Sequence, residues 1–96
     1  MQIEVVAHLH AKPGLEAQLA EVLEGFVEPT RREDGCLRYD LLVDLDHPGR
    51  FTFIEVWASR EALEAHGRSA HIQAGRARFP ELVGDAPWVQ VLRRIR

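Results

Sequence analysis

The stretch Phe51 to His71, FTFIEVWASREALEAHGRSAH, begins as a strand in which large apolar side chains fall on both faces. Phe51, Phe53 and Trp57 point one way, while Ile54 and Val56 point the other. Glu55 sits between Phe53 and Trp57 on the first of these faces, so a carboxylate is set into an aromatic wall. Ser59 can cap a following helix, Glu61 favours its positive end, and Gly67 interrupts it after His66. One short stretch therefore supplies an acid, an indole and two imidazoles.

Upstream, Cys36 to Val43 also has a period of two, with Leu37, Tyr39, Leu41 and Val43 opposed to Cys36, Arg38, Asp40 and Leu42. The turn composition of Asp46-His47-Pro48-Gly49 joins this strand to the next as a hairpin. At the start, Gln2 to His10 alternates with Ile3, Val5, Ala7 and Leu9 inward. Lys12-Pro13-Gly14 turns the chain into a helix bearing Leu15, Leu19, Val22, Leu23, Phe26 and Val27 on one side. Pro29 is expected to kink or close that helix.

Downstream, Ser69 can cap a second helical piece carrying Ile72, Phe79, Leu82 and Val83, with Pro80 as a kink within it. Gly84 to Pro87 breaks the chain before a last strand from Trp88 to Ile95. The order is strand, helix, strand, strand, helix pair, strand. Right-handed crossovers fold this order into a ferredoxin-like split β-α-β: an α+β domain with a four-stranded antiparallel sheet and helices on one face. One chain has helices for only one side of a strand that is apolar on both. The bare side predicts a homodimer in which two sheets pack face to face as a barrel.

The whole of residues 1–96 is expected to form one domain. A hydrophobic fraction of 46% and a charged fraction of 28% are those of a folding chain. The net charge of -3 argues against nucleic acid as a partner, because phosphate backbones need clustered cations. With Cys36 as the single cysteine, no disulfide scaffold can form. No apolar run is long enough to span a bilayer and no leader pattern opens the chain, so a cytoplasmic location and no membrane partner are expected.

Glu55, His66 and His71 are the candidate catalytic residues. A carboxylate bonded to an imidazole fixes the ring's tautomer and makes a general base inside an apolar pocket, and His66 and His71 are the nearest partners in sequence. Tyr39, Phe53 and Trp57 are the candidate walls for a substrate, although each also suits core packing. His8 and His10 share a strand face as metal ligands can, but no third ligand is evident, and Glu4 lies about 13 Å from His8 at strand rise. Cys36 beside Gly35 reads as packing. Neither a glycine-rich phosphate loop nor a cysteine cluster occurs, so no metal and no cofactor is expected.

Glu33-x-Gly35-Cys36-Leu37-x-Tyr39, Pro48-Gly49-x-Phe51, Glu55-x-Trp57, Leu63, His66, Ser69 and His71 together resemble the antibiotic biosynthesis monooxygenase family, from about Val5 to Val91. The resemblance implies a dimeric α+β barrel and a ligand cavity between helices and sheet, into which the third-strand tryptophan, here Trp57, points. Haem-degrading relatives use an Asn, Trp and His triad; Ala7 and Arg76 stand near the Asn and His positions, which argues against that reaction. The expected function is a cofactor-independent monooxygenase that oxidises a quinol or similar small aromatic with O2. The alternatives are an isomerase of a carbonyl or phosphorylated sugar compound, and a dimeric protein that binds a small ligand without turnover.

Overall fold

A computed structural model describes residues 1–96. The elements are β1 (Ile3–His10), α1 (Glu16–Arg31), β2 (Cys36–Val43), β3 (Arg50–Trp57), α2 (Arg60–Gly67), α3 (Ala70–Arg76), α4 (Phe79–Leu82) and β4 (Trp88–Leu92). They form a four-stranded sheet in the order β2-β3-β1-β4, antiparallel at every pairing. β1 and β2 are separated by β3 and joined over the sheet by α1. This is the ferredoxin-like α+β fold that the alternating strands dictate.

Strict alternation places Ile3, Val5, Ala7 and Leu9 of β1 and Phe51, Phe53, Glu55 and Trp57 of β3 on the helix side, all of them buried. Leu19, Leu23 and Phe26 of α1 and Ile72 of α3 close the same core. Ser59 caps α2 as its sequence suggests, accepting the Ala62 N–H at 3.1 Å. Ser69 occupies the position before α3, but its hydroxyl bonds back to the His66 carbonyl at 2.7 Å.

The structure changes four local expectations. α1 runs through Pro29 to Arg31. The carbonyl that Pro29 leaves without a donor belongs to exposed Gly25, on the solvent side of the helix. In β2 the register shifts between Cys36 and Arg38, so Leu37 is an extra residue, 54% exposed, and Cys36 rather than Leu37 turns toward the core. The segment after Ser69 is two helices, not one kinked piece. Val83 leaves the helix to bridge Ala11. β4 ends at Leu92, and Ile95 beyond it is 88% exposed.

The opposite sheet face carries Val6, Ile54, Val56, Leu42, Leu92 and Trp88, aligned by the strand registers. None of these residues is buried, and Trp88 covers only the His8 ring, at a centroid distance of 5.1 Å. The doubly apolar strand thus has one covered and one open face. No helix is long and apolar enough to cross a membrane.

Candidate active site

The helices concentrate over β2 and β3, which leaves a cavity of about 370 Å³ between α1, α3, α4 and the β1/β4 side of the sheet. Ten of its fourteen lining residues are hydrophobic. Its polar groups are few: Glu55 from β3, His66 from α2 and Arg76 from α3. An apolar hollow with a few convergent polar groups is the usual form of a small-molecule site.

Glu55 is 6% exposed, and the Trp57 Nε1–H donates to its Oε1 at 2.9 Å. The bond follows from the strand period, which puts residues two apart on one face. Burial pushes the Glu55 carboxyl up to about 7, with the Trp57 N–H and the Arg76 charge holding it back. At neutral pH this carboxyl is therefore divided between its acid and its anion.

His66 bonds to Glu33, not to Glu55. Its Nδ1 lies 2.8 Å from Glu33 Oε2. Gly35 explains the contact: at φ 84° it turns the chain sharply after α1, and any Cβ there would meet the Ala62 Cβ at 2.6 Å, so the turn lies directly on α2. Glu33 is brought against the last turn of that helix. Burial pushes the His66 imidazole down, although the Glu33 bond and charge oppose the shift.

A carboxylate on Nδ1 leaves Nε2 as the basic nitrogen. No buried side-chain nitrogen or oxygen lacks a partner, yet neither His66 Nε2 nor Glu55 Oε2 has a hydrogen bond, so both atoms reach open space. The space that both residues line is the cavity. A base and an acid thus meet one apolar hollow.

Of the other sequence candidates, Tyr39 and Phe53 line the cavity, with ring centroids 4.8 Å apart. Burial, reinforced by the Glu55 charge, pushes the Tyr39 hydroxyl up, so it stays neutral, engaged with Thr30. Trp57 is fully buried behind the wall. Its ring lies 4.7 Å from His66, and it meets the site through Glu55 rather than by facing the cavity. His71 stands outside, in a separate surface recess, with Nε2 3.1 Å from Glu33 Oε2 and 2.9 Å from Thr30 Oγ1.

Glu33, His66 and His71 are the acidic and imidazole groups whose donor atoms come within 4.8 Å of one another. Hydrogen bonding accounts for that approach. His8 and His10 do not converge: His8 Nδ1 pairs with Thr52 Oγ1 at 3.0 Å, and His10 Nδ1 with Asp85 Oδ2 at 3.3 Å. Burial pushes the Cys36 thiol up, which suits packing and not nucleophilic attack. Sequence reasoning gave Glu33 no role in the site. Its signal was the Glu33-x-Gly35 spacing, which places a carboxylate at a forced turn.

Fold and site together define a small ferredoxin-like protein with an apolar cavity that carries a few polar side chains. A profile of the antibiotic biosynthesis monooxygenase family matches residues 2–78, and the chain belongs to that family. It is 36% identical over 90 residues to Rv0793 of Mycobacterium tuberculosis, a protein with a provisional monooxygenase name, covering 94% of this chain and 88% of that one. The structure of Rv0793 superposes with a TM-score of 0.94 over 100% of this chain and 97% of that one, at 33% identity. PA3566 from Pseudomonas aeruginosa gives a TM-score of 0.94 at 30% identity, covering 99% and 95%. An uncharacterized Synechocystis protein, sll1783, is 27% identical over 93% of this chain, which spans 60% of that protein's length.

Proposed function

We propose that this protein is a cofactor-independent monooxygenase acting on a small hydroxylated aromatic, and that it works as a homodimer. The observation that carries the reading is that His66 and Glu55 line one largely apolar cavity, while Glu33 holds the imidazole through Nδ1.

A quinol reacts with oxygen far more readily once it has lost a proton. His66 Nε2 takes the hydroxyl proton, and Glu33 stabilises the imidazolium through Nδ1. Glu55 in its acid form donates toward negative charge developing on the substrate oxygen. The organic molecule supplies all the electrons: one oxygen atom enters a ring C–H bond, the quinol becomes a quinone, and the second oxygen atom leaves as water. His71 acts through Glu33, as a positioning residue, and Trp57 acts likewise through Glu55. Support comes from the family membership, from the monooxygenase names among relatives, and from the lining, which suits rings.

The dimer reading rests on the open face, where Val6, Ile54, Val56, Leu42 and Leu92 stand among Glu4, Arg38, Asp40, Thr52 and Gln90 and offer apolar area that face-to-face packing would cover. Oxygen uptake with naphthoquinols tests the reaction. Uptake matched by hydroxyquinone supports it. Proton exchange or carbonyl migration without uptake favours the isomerase alternative, and tight binding without either leaves the non-catalytic binder.

A further inference from the structure

The cavity contains a cation without an anion. Arg76, in the last turn of α3, lines the cavity beside Phe79 and Val89 and makes no ion pair. Arg76 is exposed, at the cavity's rim, and its guanidinium makes one hydrogen bond, to the Gly67 carbonyl at 3.5 Å. Arg78, two residues on, is instead held by Glu81 at 2.6 Å. Nor do the carboxylates of the site satisfy Arg76: Glu33 is engaged by His66 and His71, and Glu55 by Trp57 without an ion pair to Arg76. The charge is nevertheless close enough to act on both reacting groups, lowering the proton affinity of Glu55 and of His66.

Resting on the reading of this cavity as an aromatic site, we propose that Arg76 anchors a carboxylate, so that the substrate is a hydroxylated fused-ring aromatic acid. The planar guanidinium matches a carboxylate with paired N–H donors. Its ring lies among Phe26, Tyr39 and Phe53, and its acid group stays at the exposed end of α3. A lone guanidinium in a lining dominated by hydrophobic residues suits a monoanion on an aromatic body. A phosphorylated sugar would need more donors and a more polar wall.

Isothermal titration of the intact protein with 2-naphthol and with 6-hydroxy-2-naphthoate tests this, using wild type, Arg76→Gln and Arg76→Lys. The wild type is expected to bind the acid about tenfold or more tighter than the naphthol, with the preference weakened by salt. Arg76→Gln is expected to remove the preference while keeping naphthol binding, and Arg76→Lys to retain part of it. Equal affinities in the wild type, or a preference that survives in Arg76→Gln, would overturn the assignment. If both compounds bind equally and quinol-dependent oxygen uptake persists, the anchor alone fails. If neither compound binds, the aromatic cavity fails with it.

Discussion

Trp57 and Glu55 are bonded to each other beneath the cavity wall: the indole Nε1–H reaches Glu55 Oε1 at 2.9 Å, and neither residue is more than 6% exposed. The indole thus serves as the donor that holds a buried carboxyl in place. Because the remaining oxygen has no such donor, burial dominates and the carboxyl keeps its proton to about pH 7.

A raised carboxyl makes stability depend on pH in a defined direction. Glu55 releases its proton near 4.5 when unfolded and near 7 when folded, so the folded chain binds more protons in between. Stability from the neutral carboxyl is complete below the lower value and is lost as pH rises through the upper one, by on the order of 3 kcal/mol. Glu55→Gln remains neutral and can still accept from Trp57. Urea unfolding should find this variant gaining on wild type between about pH 4.5 and about pH 7 and level above that; a constant difference between them would contradict the buried-acid assignment.

Turnover should show the opposite limbs of two groups. Activity falls at low pH as His66, whose proton affinity is pushed below the usual histidine range, becomes charged, and falls again above about 7 as Glu55 loses its proton. His66→Gln is expected to lower kcat by about 10²- to 10⁴-fold, the usual worth of a positioned base. Glu33→Gln should cost less and move the acid limb to lower pH, since the Glu33 carboxylate raises the affinity of His66 for its proton. An unmoved limb in Glu33→Gln would separate that residue from the base.

Two glycines in helices should respond in opposite senses. A Cβ on Gly75 would lie 2.1 Å from Phe26 Cε1, whereas a Cβ on Gly25 meets nothing within 4 Å. Gly75→Ala is expected to destabilise by about 1–3 kcal/mol through overpacking. It should also weaken aromatic binding, because Phe26 lines the cavity. Gly25→Ala should stabilise α1 by about 0.5–1 kcal/mol. Thermal melts of both variants provide the comparison, and equal effects would argue against the close packing of α3 on α1.

The strands were legible in the sequence because each alternates without interruption over most of its length, as Ile3 to His10 and Phe51 to Trp57 do. Periodicity failed where a local irregularity replaced it: at the bulge that turns Leu37 outward, at Pro29, whose orphan carbonyl faces solvent, and in the separation of α3 from α4. Glu55, Tyr39 and Phe53 were legible as cavity residues because one strand face or one hairpin brings them together. The partner of His66 was not. Glu33 is 33 positions away, and only the Gly35 turn, packed on Ala62, brings it there. Arg76 and Phe79 come from short helices whose placement no periodicity fixes.

The open sheet face leads to a prediction about assembly. Val6 is central to the patch, opposite Ile54 on β3 and Gln90 on β4. Sedimentation equilibrium is expected to give a dimer for wild type and a monomer for Val6→Asp, since a buried unpaired carboxylate would oppose association. A wild-type monomer at tens of micromolar would contradict the covered-face reading.

The most direct measurement is the ionisation state of a phenol inside the cavity. 4-Nitrophenol absorbs at longer wavelength once deprotonated, so difference spectra under mildly acidic conditions report where its proton has gone. A larger phenolate fraction is expected when it is bound to wild type than when it is bound to His66→Gln. A bound phenol that keeps its proton in both proteins, or loses it equally in both, would contradict proton transfer to His66.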